Sequence, residues 1–383
     1  MIRLSRILCL FGLILAVSST FAQREEMPIK IFGYFQTTFQ HWTAQADHQE
    51  FNSFSLQQLN LFFQKDITRS WSAFVNFEFL NNFSSIRQWG SANLEEAWVK
   101  YRLNEKFSLK LGLQIPIFNN LNTIKNRTPL LPYIIRPIAY ETSFTEFIPI
   151  EEFVPHRAFV QAYGFFPSGE VKFEYAAYLG NSPNINDDRE RGQTGVDTMS
   201  AVLVGGRLGI RYQELKFGIS ATRENRSDFI GSEPLFAIAT FRFDNILSVR
   251  LGGDLSYNVA NFSLESEFIN VDVSSDIVEL GTDLDFYYAT LGYNFTDRFF
   301  LYGSYWTIKS RAEYLVPENG FINTEEITVP NAGISFNLYD RIRIKGQFAH
   351  VSDEYIERDG SGNSRLEKKV SFNIYALAVS VFF

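Results

Sequence analysis

The feature that most restricts the fold of this chain is an alternation of apolar and polar residues with a period of two. Between residues 171 and 179 every second side chain is apolar, and Lys172 and Glu174 lie between them. Similar segments of about ten residues recur from residue 30 to the last residue, with turn-forming residues between them. A period of two places successive side chains on opposite faces of a β-strand. The pattern therefore predicts an all-β chain whose strands each have one apolar face.

The composition indicates that this apolar face contacts lipid. The chain has 39 Phe and 18 Tyr, and its mean hydropathy is −0.10. A transmembrane barrel needs apolar side chains around its outside and aromatic side chains at both membrane interfaces, whereas a soluble β-sandwich of this length fits so many aromatic residues poorly. After residue 22, no apolar run reaches the ~20 residues that a membrane helix requires. We therefore predict a transmembrane antiparallel β-barrel of about 16 strands.

Short and long connections alternate along the chain, as expected for tight periplasmic turns and longer outer loops. The segment 235–257 could hold one strand and a loop or two strands, and one strand is favoured because two would place the later long loops on the wrong side. The predicted long connections include 41–53, 180–200, 310–326 and 352–369.

The first residues have the order of a secretory signal peptide. Arg3 and Arg6 precede an apolar run and then the small residues that end at Ala22. We predict a signal peptide over residues 1–22, with the barrel over 23–383 in the outer membrane of a Gram-negative bacterium. Cys9 is the only cysteine and lies inside the signal peptide, so disulfides and thiolate sites are excluded from the processed chain. We expect no cofactor and no bound metal.

The longest connection, 119–156, is too apolar for a solvated loop. Residues 129–137 and 147–150 are rich in Leu, Ile, Tyr, Phe and Pro. Loops above ~15 residues are usually functional or disordered, and disorder requires low hydrophobicity. We therefore predict that this segment folds into the barrel and narrows the lumen as a constriction loop.

Charged residues in and beside the constriction loop would set the field at the narrowest point. For any single residue, the favoured alternative is a structural ion pair that fixes the loop. The functional prediction applies to the cluster as a whole. The candidate basic residues are Lys125, Arg127 and Arg136 on the loop, with Arg157, Arg207 and Arg211 on neighbouring strands. The candidate acidic residues are Glu141, Glu146, Glu151 and Glu152.

Other inward positions indicate a water-filled lumen of mixed charge. Glu96, Lys100 and Arg102 share the polar face of the strand that we count as fourth. Phe32, Tyr34 and Trp98 could form a surface on which sugars stack, although packing within the lumen or an interfacial girdle is the favoured explanation.

Residues 54–79, 95–118 and 157–211 form three stretches with a shared family pattern. They resemble the phosphate-selective porins O and P of Bacteroidota. The resemblance implies a 16-stranded, usually trimeric channel for anions or small nutrients. The acidic chain and the lack of a dense run of inward arginines depart from that family, so fold carries over better than selectivity. The matching residues are Leu59 to Phe63, Trp71 to Phe74, Glu96 to Arg102, Leu111 to Phe118, Tyr178 to Asn181 and Gly206 to Gly209.

The predicted function is passive diffusion of small hydrophilic solutes or ions, with anions among the candidates. The alternative is a binding or adhesion barrel that acts through outer loops, in which acidic stretches such as 186–191 and 353–359 could hold calcium. An enzyme is disfavoured because no His lies in a recognisable catalytic arrangement.

The predicted partners are outer-membrane lipid, small hydrophilic solutes, a second and third copy of the chain in a homotrimer, and the barrel-assembly machinery. The last strand alternates up to a terminal Phe383, which resembles the signature that this machinery recognises. A net charge of −8, with no basic cluster, argues against nucleic acid.

Overall fold

The computed structural model describes residues 28–43, 50–82, 91–124, 127–140, 153–155, 157–181, 202–229, 242–275, 279–315, 321–359 and 363–383. The predicted signal peptide lies outside these residues. Strands make up most of the described chain. They are β1 (Lys30–Trp42), β2 (Phe51–Asp66), β3 (Trp71–Asn82), β4 (Ser91–Asn104), β5 (Phe107–Gln114), β6 (Ala158–Ser168), β7 (Val171–Asn181), β8 (Val202–Tyr212), β9 (Leu215–Phe229), β10 (Arg242–Val259), β11 (Phe262–Ser275), β12 (Glu279–Thr296), β13 (Phe299–Leu315), β14 (Phe321–Tyr339), β15 (Ile342–Asp359) and β16 (Ser364–Phe382).

The strands form one closed antiparallel barrel, in which each strand pairs with its neighbours in sequence and β1 pairs with β16. At the seam, Gly33 and Phe383 exchange two backbone hydrogen bonds, of 2.9 and 3.0 Å. Closure leaves no exposed sheet edge, which is the condition for crossing a membrane with strands. The predicted 16-stranded antiparallel barrel is confirmed. In the ambiguous segment 235–257, the described part belongs to the single strand β10.

The two faces of the strands differ as the alternation predicted. Leu208 on β8 and Leu377 on β16 point outward and are 62% and 60% exposed, whereas Arg207 points inward and is 8% exposed. Following the arrangement of outer-membrane barrels, we take the side with the short turns, such as 213–214 between β8 and β9, as the periplasmic side.

No helix in the described part of the chain is long and apolar enough to cross a membrane.

The barrel wall is uneven in height, because β5 has 8 residues whereas β14 and β16 each have 19. The predicted connections 310–326 and 352–369 were wrong over most of their length, since β13 to β16 continue through them. Polar side chains continue the alternation there, and cross-strand pairs such as Lys309 with Glu326 (3.2 Å) hold the extended strands together. The acidic stretch 353–359 is therefore part of β15. The stretch 186–191 lies outside the described residues.

Candidate functional site

A glycine marks the point where the chain leaves the wall and enters the lumen. Gly112 in β5 has a φ of +118°, and a Cβ at this position would collide with the carbonyl oxygen of Ala97 on β4. Only glycine adopts this conformation without strain. The pairing of β5 with β6 becomes irregular between Leu111 and Gln114, and the chain then turns inward. The constriction loop follows.

The start of the loop crosses the lumen and is fixed by a carboxylate on β11. The Glu267 Oε1 atom accepts hydrogen bonds from the backbone N–H groups of Asn120 (2.9 Å) and Leu121 (2.6 Å). Its Oε2 atom accepts one from the Tyr140 hydroxyl at 2.6 Å. The backbone N–H of Asn119 donates to Ser220 Oγ on β9 at 2.9 Å. The side chain of Glu267 thus holds both the beginning and the later part of the loop.

The middle of the loop is fixed to β15 and β2. Gln347 Oε1 accepts from the N–H groups of Ile134 (2.7 Å) and Ile135 (2.8 Å), and its Nε2 donates to the Ile135 carbonyl at 3.1 Å. Lys345 Nζ donates to the carbonyl of Thr128 at 2.8 Å. From the other side, Gln57 Nε2 donates to the Ile134 carbonyl at 2.9 Å. These contacts satisfy backbone groups that a buried loop would otherwise leave without partners.

Apolar side chains of the loop pack against the inner wall opposite β5. Tyr133 lies edge-to-face on Tyr302, with centroids 5.1 Å apart, and Tyr140 and Phe153 both pack on Phe286 at 6.1 Å. The wall residues in this cluster occupy inward positions of β1 and of β11 to β16, so the loop packs along one side of the lumen. Further members of the cluster include Leu121, Leu131, Ile135 and Ile138 of the loop and Val271, Leu284, Trp306, Ile327, Val351 and Phe372 of the wall.

Apolar packing and hydrogen bonds make different contributions to the position of the loop. A fully buried large apolar side chain contributes roughly 1.5–3 kcal/mol, and ordering the backbone costs roughly 1–2 kcal/mol per residue. Because apolar burial has no preferred direction, it holds the loop against the wall without fixing one exact position. Directional hydrogen bonds from Glu267, Lys345 and Gln347 supply that position.

Two loop tyrosines remain hydrogen-bond donors over a wide pH range. Burial, with the nearby Glu265 charge, raises the pKa of Tyr133 well above its ordinary value. Burial and the charge of Glu267 do the same to the pKa of Tyr140. The Tyr133 hydroxyl donates to Thr290 Oγ1 at 3.0 Å and lies 3.2 Å from Glu265 Oε2.

The opposite side of the lumen, from β4 to β10, carries ion pairs. Arg207 on β8 binds Asp254 on β10 through two hydrogen bonds of 2.6 and 2.9 Å. Glu174 on β7 lies 3.5 Å from Arg207 and 2.7 Å from Arg211. The apolar part of the loop therefore packs on one side of the lumen, and the other side carries ion pairs, of which Glu174 and Arg211 are partly exposed.

The sequence candidates fall into three groups. Arg157, just before β6, binds Glu95 at 2.6 Å, and Arg207 and Arg211 bind carboxylates, so all three occupy ion pairs of the wall. Arg136 lies on the loop and is buried, and Arg127 lies beside the first 3-10 turn. The candidates outside the described residues are Lys125, Glu141, Glu146, Glu151 and Glu152.

The aromatic residues near the seam pack on one another. Phe74 stacks between Phe62 (5.6 Å) and Trp98 (4.9 Å), and Tyr34 lies edge-to-face on Phe62 at 5.2 Å. Phe32 also contacts Phe62, at 5.1 Å. This arrangement agrees with packing within the lumen, the explanation that the sequence favoured.

Sequence reasoning missed the residues that position the loop. Glu267, Lys345, Gln347 and Gln57 occupy ordinary inward positions, and no local signal distinguishes them from other polar residues of the alternation. Their partners in the loop lie between 77 and 217 residues away in the sequence.

These features define a closed barrel of the outer-membrane type with an inward-folded loop. Comparison with solved structures gives the same fold. OmpT of Vibrio cholerae matches with a TM-score of 0.61 and 10% identity over 95% of this chain and 100% of that chain. The outer membrane channel DcaP of Acinetobacter baumannii matches at 0.58 and 10% over 95% and 99%. An anion-selective porin from Comamonas acidovorans matches at 0.52 and 11% over 94% and 100%.

The chain thus has the fold of outer-membrane porins and channels of Gram-negative bacteria. No protein-family model and no curated protein sequence matches it.

Proposed function

We propose that the chain is an outer-membrane porin through which small hydrophilic solutes or ions diffuse passively. The observation that carries this proposal is the loop, which crosses the lumen and packs on the apolar wall of β1 and β11 to β16, whereas β6 to β10 carry inward-facing ion pairs. A barrel built only as a membrane anchor needs neither an inward loop nor a charged inner wall. The folds of DcaP and the anion-selective porin support the same conclusion.

Planar-bilayer recording tests the proposal. The purified, folded barrel should insert as discrete, long-lived conductance steps in KCl, and liposome swelling should fall as the test sugar becomes larger. Protein denatured by heating before addition serves as the control. An absence of channels at every voltage, from protein shown to be folded, would reject the proposal.

The selectivity of the channel is proposed to depend on the charged residues at the loop and the neighbouring wall. Arg136 supports this, because it is a basic residue on the loop itself. An Arg136→Ala variant should shift the reversal potential in a salt gradient toward cations. An unchanged reversal potential would show that Arg136 does not contribute to ion selectivity at the constriction.

We also propose kinship with the phosphate-selective porins O and P. The stretch 95–118, on which part of the resemblance rests, forms most of β4 and β5 and runs into the constriction loop. If the kinship includes selectivity, millimolar phosphate should reduce the chloride current through single channels. Equal currents with and without phosphate would show that the resemblance extends to the fold but not to phosphate selectivity.

A homotrimer is proposed as the assembly. The wall is low at β5, whose 8 residues extend about 26 Å along the strand. With a tilt of about 40° the strand spans only about 20 Å, less than the apolar band of about 25 Å. One solved form of Vibrio cholerae OmpT is a trimer. Native mass spectrometry of the detergent-extracted protein should give three times the chain mass, and a single-chain mass would contradict the trimer.

A further inference from the structure

Positive charges oppose one another directly on the inner wall near the periplasmic turns. Lys100 on β4 is the cross-strand partner of Lys110 on β5. On the next strands, Arg211 of β8 is the direct partner of both Lys172 on β7 and Lys216 on β9. Like charges at directly opposed positions destabilise a sheet. A stable fold that keeps two such groups has a local electrostatic cost that a bound anion would relieve.

The two groups differ in how their charge is compensated. Arg211 has Glu174 at 2.7 Å, and Arg207 nearby has Asp254. Within the described chain, by contrast, no carboxylate oxygen lies within ion-pair distance of Lys100, Arg102 or Lys110. The Lys110 ammonium instead lies 4.3 Å from the centre of the Trp98 ring. Glu96 on β4 and Asp66 on β2 act on these lysines only over a longer distance. The positive charge on β4 and β5 is therefore only partly compensated.

A pocket of about 340 Å³ lies beside these cations, inside the lumen and on the periplasmic side of the constriction loop. Lys100, Arg102 and Arg207 contribute positive charge to its lining, and Glu105 and Glu174 contribute negative charge, so the lining carries one net positive charge. Tyr163 and Phe165 of β6 and Ile117 at the start of the loop provide apolar surface. A strongly hydrated inorganic ion would lose water against these rings without compensation, whereas an organic anion would bury apolar surface there.

We infer that this pocket is a binding subsite for small organic anions that carry a carboxylate and a flat apolar part. The carboxylate binds Lys100 and Arg102 through charge-assisted hydrogen bonds. The apolar part lies against Tyr163, Phe165 and Ile117. The inference rests on the proposed porin function, because it places a binding site along the path of the solute. It adds the class of solute and the side of the membrane from which the solute reaches the subsite, namely the periplasm.

Benzoate and acetate are the probes, because they share a carboxylate and differ in the ring. Each is added to one side of a single channel at a time in KCl. Benzoate on the periplasmic side should interrupt the current at lower concentration than acetate does. The double variant Lys100→Gln/Arg102→Gln should weaken this block about tenfold or more. Tyr163→Ala should weaken the block by benzoate and leave that by acetate unchanged.

Matched controls separate folding from binding. Lys309→Gln removes an exposed lysine on the outer face of β13 and should leave the block unchanged. Lys100→Gln alone should also raise the thermal stability of the barrel, because it removes one opposed charge. Equal block by benzoate and acetate, or a block that the double variant retains, would overturn the subsite. A folded protein without channels would overturn the porin function instead.

Discussion

The ammonium of Lys345 on β15 donates a hydrogen bond of 2.8 Å to the backbone carbonyl of Thr128 in the constriction loop, across 217 residues of sequence. The same ammonium donates to the Tyr133 carbonyl at 3.1 Å and to Gln36 Oε1 at 2.8 Å. This fully buried lysine has three oxygen acceptors and thereby links the wall to the loop. The position of the constriction therefore depends on a side chain outside the loop.

Replacing Lys345 should increase the mobility of the loop without unfolding the barrel. A Lys345→Met variant leaves two loop carbonyls without their donor, at roughly 1–3 kcal/mol for each group. We expect faster amide hydrogen exchange over 128–135 and noisier, larger single-channel currents. Lys309→Met, on the outer face, is the control and should match the unchanged protein. Identical exchange in both variants would show that apolar packing alone fixes the loop.

The ion pair of Arg207 and Asp254 should tune selectivity by charge. Asp254→Asn removes a negative charge and should shift the reversal potential toward anions, and Arg207→Gln should shift it toward cations. The double variant restores the charge balance and should return close to the unchanged value. Asp283→Asn, on the outer face of β12, is the control. Shifts of the same sign in both single variants would contradict a role in the aqueous path.

Gly112 should be intolerant of any side chain. A Gly112→Ala variant places a Cβ against the Ala97 carbonyl at a φ of +118°. We expect a loss of roughly 1–3 kcal/mol in folding free energy, together with a lower refolding yield measured by heat-modifiable gel mobility. Gly303→Ala, where nothing lies within 4 Å of the added atom, should be neutral. Equal yields for both variants would show that the backbone relaxes at β5.

The hydrogen bond from Tyr140 to Glu267 should survive moderately alkaline conditions. Burial raises the pKa of Tyr140, so its stabilising protonated form is fully present below the ordinary tyrosine pKa of about 10 and is lost only as the pH rises through the higher folded value. In an ultraviolet titration, the unchanged protein and Tyr140→Phe should give the same curve up to about pH 10. A tyrosine missing from the variant's curve below that pH would contradict this.

Sequence reasoning located the loop but not its contacts. The apolar run 129–137 predicted an inward segment, and the structure places Leu131, Tyr133 and Ile135 against the opposite wall. Arg207 was a candidate for the narrowest point. The structure places it in an ion pair with Asp254, since the register of β8, β9 and β10 brings these two side chains together.

Local sequence patterns were sufficient to predict which residues face lipid, which face the lumen, and that a long apolar connection has to be buried. All three follow from local periodicity and from the cost of exposing apolar surface to water. The roles of Lys345 and Glu267 in holding the loop, and the opposition of Lys100 and Lys110, could be seen only in the folded barrel. Those relationships depend on strand register and on distances across the lumen, and a pattern that repeats every two residues carries no information about either.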